Sequence, residues 1–194
     1  MALVEFFYDF TSPYSYLAAT RIEEVASRAG GEVRYRPFLL GGVFKATGNR
    51  APLETPAKMA YLGVDLRRWA RRLGVPLVFP STFPIPSVLA LRCALAAGRR
   101  GQLARFTQAV FRAQWAEGRE ISSPEVLDRI AADLGLPPLT PEAPAEKEEL
   151  ARNTAEAVER GAFGAPTFFV GKEMFVGNDR LDFVEEALRA ARGS

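Results

Sequence analysis

The sequence predicts an α/β protein: a β-α-β unit at the start, a β-β-α unit at the end, and a run of helices between them. Three observations carry this reading. An apolar, aromatic-rich run over 3–7 leads at once into Ser12-Pro13 and a 3.6-residue pattern. The middle third is helical in spacing, interrupted by prolines at 76, 80, 84 and 86. The last third returns to short β-branched and aromatic runs, 167–170 and 174–176, around a turn at Gly171-Lys172.

Taken in order, residues 3–7 read as a buried strand. Ser12 then reads as a helix cap and Pro13 as the first helical residue, because the N–H that proline lacks would be unpaired there anyway. A helix is expected over 13–29, with Tyr16, Ala19, Ile22 or Glu23, and Val25 or Ala26 along one face, closed by Gly30-Gly31. The strand expected over 33–38 makes a parallel pair with the first, joined by a right-handed crossover. Helices are expected over 58–73, 87–97, 102–116 and 124–134, the first marked by Leu62, Leu66, Trp69 and Leu73. Segment 75–86 cannot continue a helix and is expected as a rigid extended connection, either a substrate wall or a plain crossover. Ser123-Pro124-Glu125 repeats the cap logic of Ser12-Pro13, so that device alone proves no chemistry. A charged helix over 144–160 leads into the last two strands, and a final helix opens at Asn178. The sheet is therefore split in sequence: a thioredoxin-like layer from 1–52 and 151–194, with an all-helical domain inserted over 53–150.

Composition narrows the chemistry. With 194 residues, 48% of them hydrophobic, the chain can bury a full core. A net charge of +2 with interleaved signs gives no electrostatic footprint for nucleic acid or an anionic membrane, so neither partner is expected. The arginines at 67, 68, 71 and 72 read as a solvated helix face. No apolar run approaches the roughly 18 residues that span a bilayer, and Met1 leads straight into a strand pattern, so a cytoplasmic location is expected. Histidine is absent, which removes Ser-His-Asp triads, His-paired nucleophiles and the usual zinc sites; no metal is expected. The single cysteine, Cys93, lies among Val88, Leu89, Leu91 and Leu95 and reads as core packing, which excludes an internal disulfide and a dithiol redox centre.

The most informative stretch is Phe6-Phe7-Tyr8-Asp9-Phe10-Thr11-Ser12-Pro13-Tyr14-Ser15. It puts a hydroxyl where a strand hands over to a helix, the place where a redox protein of this design carries a thiol. A helix start favours negative charge through its unpaired amides, so an anion beside Ser12 would be stabilised. Ser12-Pro13-Tyr14-Ser15, Gly48-Asn49-Arg50, Lys58, Val78-Phe79-Pro80, Phe163-Gly164-Ala165-Pro166-Thr167 and Gly177-Asn178-Asp179-Arg180-Leu181 together resemble the 2-hydroxychromene-2-carboxylate isomerase family. Kappa-class glutathione transferases are its relatives. The family resembles the DsbA-like thioredoxin fold with serine in place of the redox cysteine, and the likeness covers almost the whole chain.

The resemblance implies glutathione as a bound thiol and makes Ser12 the catalytic hydroxyl that donates to its sulfur. A free thiol is only a few per cent ionised at neutral pH, so a donor beside the sulfur raises the reactive share. Asn49 and Lys58 fall where the family binds glutathione; read alone they are a turn residue and a surface lysine. Ala165-Pro166 resembles a cis-proline junction whose preceding residue offers backbone groups to the peptide part of the ligand. Asn178 and Asp179 read as cap and dipole complement of the last helix, and by resemblance hold the γ-glutamyl end. Phe44, Tyr61, Phe79, Phe83 and Trp115 are candidate apolar walls for a small aromatic keto acid, though each also suits a core. The implied reaction interconverts 2-hydroxychromene-2-carboxylate and trans-o-hydroxybenzylidenepyruvate in naphthalene-type aromatic catabolism, by a homodimer. The alternatives are a kappa-class-like transferase acting on electrophiles and a non-redox DsbA-like peptide-binding module.

Overall fold

The computed structural model describes residues 2–51, 55–80 and 82–193. Strand β1 (Ala2–Tyr8) pairs in parallel with β2 (Gly31–Pro37), and β3 (Thr167–Val170) pairs antiparallel with β4 (Glu173–Val176). The sheet order is β2-β1-β3-β4, so β1, from the start of the chain, lies inside the sheet against β3, from its end. Alternation along β1 then sorts the aromatic side chains onto two faces. Phe6 stacks on its cross-strand partner Phe168 at 5.2 Å, while Phe7 meets Phe169 edge-on at 5.5 Å. The α/β class and the split thioredoxin-like sheet agree with the sequence reading.

Phe6 and Phe168 belong to a core that runs without a break from the sheet into the helices. Around it lie α1 (Pro13–Ala19), α2 (Ile22–Arg28), α4 (Pro56–Leu73), α5 (Val88–Gly98), α6 (Leu103–Trp115), α7 (Pro124–Asp133) and α9 (Leu181–Gly193). Phe7 and Phe169 join a smaller core with Phe38, Val43, Ala157 and Ala162, under α3 (Leu40–Thr47) and α8 (Lys147–Glu159). Each fully buried phenylalanine contributes roughly 1.5–3 kcal/mol. An ion-pair cluster edges the smaller core. Arg36 reaches Glu5 at 2.9 Å and pairs with Glu156, and Arg160 reaches Glu5 at 2.6 Å and Glu156 at 3.1 Å, joining β1, β2 and α8. The Arg160 guanidinium lies 3.7 Å over the Phe169 ring.

The structure redraws several predicted elements. The helix expected over 13–29 is two, because the chain turns at Thr20-Arg21, where the Thr20 hydroxyl bonds back to the Leu17 carbonyl at 2.7 Å. Helix α3 was not expected: Gly41, Gly42 and Thr47 are poor helix formers. It forms because partners from elsewhere satisfy its first amides, Leu39 through the Thr154 hydroxyl and Leu40 through the Asp9 carboxylate. The helix expected over 144–160 starts with a 3-10 turn, Ala143–Glu146. The last helix is likewise preceded by a 3-10 turn, Asn178–Arg180, so Asn178 is not its cap; the residue before the turn, Gly177, holds φ at 106°. A side-chain Cβ there would come within 2.5 Å of the Asp179 carboxylate. The proposed domain junction at 52/53 lies outside the described residues.

Candidate functional site

Ser12 stands at the junction of β1 and α1 as the reading of the sequence anticipated. Its backbone is extended (φ −90°, ψ 113°), its hydroxyl oxygen accepts from the Ser15 amide at 3.2 Å, and Pro13 opens the helix. With proline lacking a donor, and the Ser15 and Tyr16 amides bonded to Ser12, the Tyr14 amide is the one left without an intrahelical acceptor. Helix α1 has only seven residues, so its dipole is short and the hydroxyl and this amide dominate the local donor set.

The hydroxyl itself donates to the carbonyl oxygen of Ala165 at 2.9 Å. The Ala165-Pro166 bond is cis, as the resemblance implied, and Phe83-Pro84 is cis as well, which nothing in the sequence announced. Ser12 and Ala165 open onto a cavity of about 480 Å³. Its walls are the Ser12 turn (Thr11 to Tyr14), α3 (Leu40, Gly41, Phe44), the loop of Asn49, Arg50 and Ala51, Leu62 of α4, the Phe83-Pro84 segment, and Phe163 to Ala165 with Val176. Segment 75–86 therefore does supply a wall. The lining is mostly apolar, with polar groups gathered around Ser12, which suits an amphipathic ligand.

The other predicted residues separate into groups. Phe44 and Phe83 line the cavity. Asn49 also lines it, with its side chain already engaged: Nδ2 donates to the Phe163 carbonyl at 2.8 Å and Oδ1 accepts from the Arg50 amide at 2.9 Å. Lys58 and Tyr61 line an adjoining shallow depression of about 390 Å³ that shares Tyr14 and Leu62 with the cavity. Phe79 packs against Phe83, ring centres 5.1 Å apart, but is not itself in the cavity lining and is 43% exposed. Trp115 is no wall. It is fully buried, and its indole N–H donates to the Phe10 carbonyl at 2.9 Å, so it is core under the site.

Asn178 is 3% exposed, on a turn that packs against α1, and its Nδ2 has no acceptor among the described residues. An unpaired buried donor is costly, yet Asn178 lines neither the cavity nor the adjoining depression, so the structure sets it behind the helix start and not on a wall. Asp179 is about half exposed beside Arg180 and acts electrostatically on Tyr14. Two residues of the site escaped the sequence reading. Tyr14 lines both depressions and donates to Asp65 at 2.7 Å; burial, then the Asp65 hydrogen bond, hold its phenol well above the usual range. Asp9, 1% exposed, accepts from the Thr11 amide at 3.0 Å as well as from Leu40. The acid two positions before Thr11 and three before a capping serine was its only signal.

Among the described residues no helix is long and apolar enough to cross a membrane, and no group of three or more metal-ligating side chains comes together. The DSBA-like thioredoxin domain model matches residues 3–189. The chain is 36% identical to a 2-hydroxychromene-2-carboxylate isomerase from Pseudomonas putida, over 96% of this chain and 94% of that protein. A solved selenomethionine structure of 2-hydroxychromene-2-carboxylate isomerase superposes with a TM-score of 0.89 at 35% identity, covering 98% of this chain and 97% of the other. Glutathione S-transferase kappa 1 from Caenorhabditis elegans is more distant, 27% identical over 96% of this chain and 90% of its own.

Proposed function

We propose a function that proceeds from one premise: the chain belongs to the DSBA-like thioredoxin domain family and, inside it, to the 2-hydroxychromene-2-carboxylate isomerase family. It is a glutathione-dependent isomerase that interconverts 2-hydroxychromene-2-carboxylate and trans-o-hydroxybenzylidenepyruvate in aromatic catabolism. The observation that carries this is the Ser12 hydroxyl, buried at the floor of an apolar cavity beside the Tyr14 amide and Ala165.

Groups on the cavity wall suit glutathione: a hydroxyl and an amide for the sulfur, and a backbone carbonyl for a peptide N–H. Lys58 and Asp179 supply outer charges of opposite sign for the ends of the tripeptide. When bound, glutathione supplies a thiolate that adds reversibly to the conjugated double bond, leaving a single bond that rotates before the thiol is expelled. Everything else falls to the protein. Ser12 has one proton, which it now gives to Ala165. A hydrogen bond to an anion is roughly twice as strong as one to a neutral carbonyl, so a sulfur anion takes that proton's attention and the hydroxyl rotates. The Ala165 carbonyl is then released to accept an N–H from the ligand's peptide. Sulfur capture and peptide capture are thus two halves of one exchange. Among the described residues the Ser12 hydroxyl bonds the Ala165 carbonyl and the Ser15 amide, neither of them a base, so it acts as a donor and not as a nucleophile. Phe44 and Phe83 hold the aromatic ring and keep water from it.

The test is turnover of 2-hydroxychromene-2-carboxylate with and without glutathione. Thiol-dependent turnover in wild type supports the reading, and thiol-independent turnover or none sinks it. The kappa-class relatives favour one second reading, a transferase that joins glutathione to electrophiles. Conjugation of a chloronitrobenzene without chromene turnover selects it. A homodimer in the cytoplasm remains part of the proposal, checked by light scattering and fractionation.

A further inference from the structure

The Asp9 side chain does not line the cavity and meets no group assigned above to ligand. Its buried carboxylate nevertheless joins two cavity walls: Oδ1 accepts from the Thr11 amide at 3.0 Å, next to Ser12, and Oδ2 accepts from the Leu40 amide at 2.8 Å, the first residue of α3. The network reaches further. Asp9's own carbonyl accepts from the Ser12 amide at 3.0 Å, and the Thr11 hydroxyl accepts from the Ile85 amide at 3.3 Å, next to the Phe83-Pro84 wall. Ser87, at the start of α5, also bonds to the carboxylate.

We infer that Asp9 is a positioning residue that holds the hydroxyl of Ser12 and the aromatic wall on α3 in register, one carboxylate oxygen for each. This rests on the reading of Ser12 as a thiolate donor. Two oxygens each accepting a backbone N–H is a job only a carboxylate of this length does. Asparagine offers one acceptor and one NH₂, so in Asp9→Asn either the Thr11 or the Leu40 amide meets a donor and that wall lets go. Burial raises the Asp9 carboxyl above its usual range, opposed by the hydrogen bonds from Ser87, Thr11 and Leu40 that converge on it.

Charge and position predict opposite signs. Removing a negative charge from behind Ser12 would by itself favour a thiolate, whereas loosening Ser12 disfavours it. Among the described residues, the titratable and charged groups around these elements include Tyr8 beside Asp9, Tyr14 with its neighbours Asp65, Tyr61, Lys58 and Asp179, Lys45 on α3, Arg92 on α5 and Arg50 on the facing loop; all stay unchanged in the variant.

The experiment titrates the ultraviolet absorption of the thiolate of bound glutathione in wild type, Ser12→Ala and Asp9→Asn, alongside steady-state kinetics. Asp9→Asn should lower kcat/KM by about tenfold to a hundredfold, and should either shift the thiol titration upward in pH, where the Thr11 amide loses its acceptor, or raise KM for the aromatic acid several-fold, where the Leu40 amide does. A downward shift, or neither change, in Asp9→Asn, with an upward shift in Ser12→Ala, overturns the role of Asp9 and leaves Ser12 standing. No shift in Ser12→Ala removes the thiolate site and with it this inference. If Asp9→Asn does not fold, Leu40→Pro carries the test. It deletes the N–H that meets Oδ2 and exchanges a wall side chain, at a first helical position where proline fits and after a residue, Leu39, already extended at φ −93° and ψ 106°. Relative to Leu40→Ala, which keeps that N–H, it should raise KM for the aromatic acid several-fold and leave the thiol titration in place; equal KM values overturn the inference.

Discussion

Ser12 and Ala165, 153 positions apart in the chain, are joined by a single hydrogen bond of 2.9 Å between a side-chain hydroxyl and a backbone carbonyl. The contact places the candidate hydroxyl donor to the sulfur directly against the backbone that would hold the rest of the thiol. Ser12→Ala deletes the donor and keeps Pro13 as the helix start. Turnover should fall about a hundredfold, as for loss of one donor to a developing or resting anion, while the far-ultraviolet dichroism is unchanged. Wild-type turnover in this variant would remove the hydroxyl from the reaction.

Trp115 gives the opposite pattern. Trp115→Phe leaves the Phe10 carbonyl without its partner and a gap beside Phe79 and Phe83. Denaturant unfolding should show a loss of about 2–4 kcal/mol, with KM for the aromatic acid within twofold of wild type, on the order of the roughly 0.4 kcal/mol that twofold represents. A large rise in KM at full stability would return Trp115 to the cavity wall.

Cys93 is buried, and burial, helped by the charges of Asp128 and Glu142, pushes its thiol from 9.0 up to about 12. A thiol so placed should not react with a disulfide reagent at neutral pH until denaturant is added, when one equivalent titrates. The folded value is raised, so this group's contribution to stability is complete below 9.0 and is lost as the pH climbs toward about 12. Alkaline unfolding midpoints of wild type and Cys93→Ala should therefore converge across that window.

Glu156 has the reverse sign. Burial pushes its carboxyl up, but Arg36 and Arg160 outweigh it and the net shift is downward from 4.5. Its contribution is complete above 4.5 and disappears as the pH falls through the lowered value. The gap in urea midpoint between wild type and Glu156→Gln should be open at neutral pH and close in acid. A gap that stays constant across the range would show that the carboxylate's charge is not what holds α8 to the sheet.

Local rules made the strands, Ser12-Pro13 and most helices legible, because each rests on spacing or on a capping residue within a few positions. Helix α3 was invisible for the converse reason: its glycines argue against it, and the acceptors that rescue it come from Asp9 and Thr154. The same distance rule divides the site. Ser12 announces itself through its neighbours, whereas the roles of Tyr14, Asp9 and Trp115 depend on Asp65, Leu40 and Phe10, partners that no local pattern connects to them. Phe44 and Phe83 were chosen with Trp115 on ring chemistry alone, and only packing distinguishes wall from core.

The placement of β1 between β2 and β3 has a bearing on synthesis. The ribosome releases β1 and β2 early, yet the strand that covers β1's second edge is made only after residue 166. Through most of translation that edge is an unpaired row of amides and carbonyls on a phenylalanine-rich strand, open to any extended segment that passes. The nascent chain therefore carries a hazard of mispairing until β3 emerges, and the same segment brings Ala165 to Ser12. Closing the exposed edge and bringing the two sides of the candidate site together are one event, so a chain whose edge is still open has not yet assembled that site.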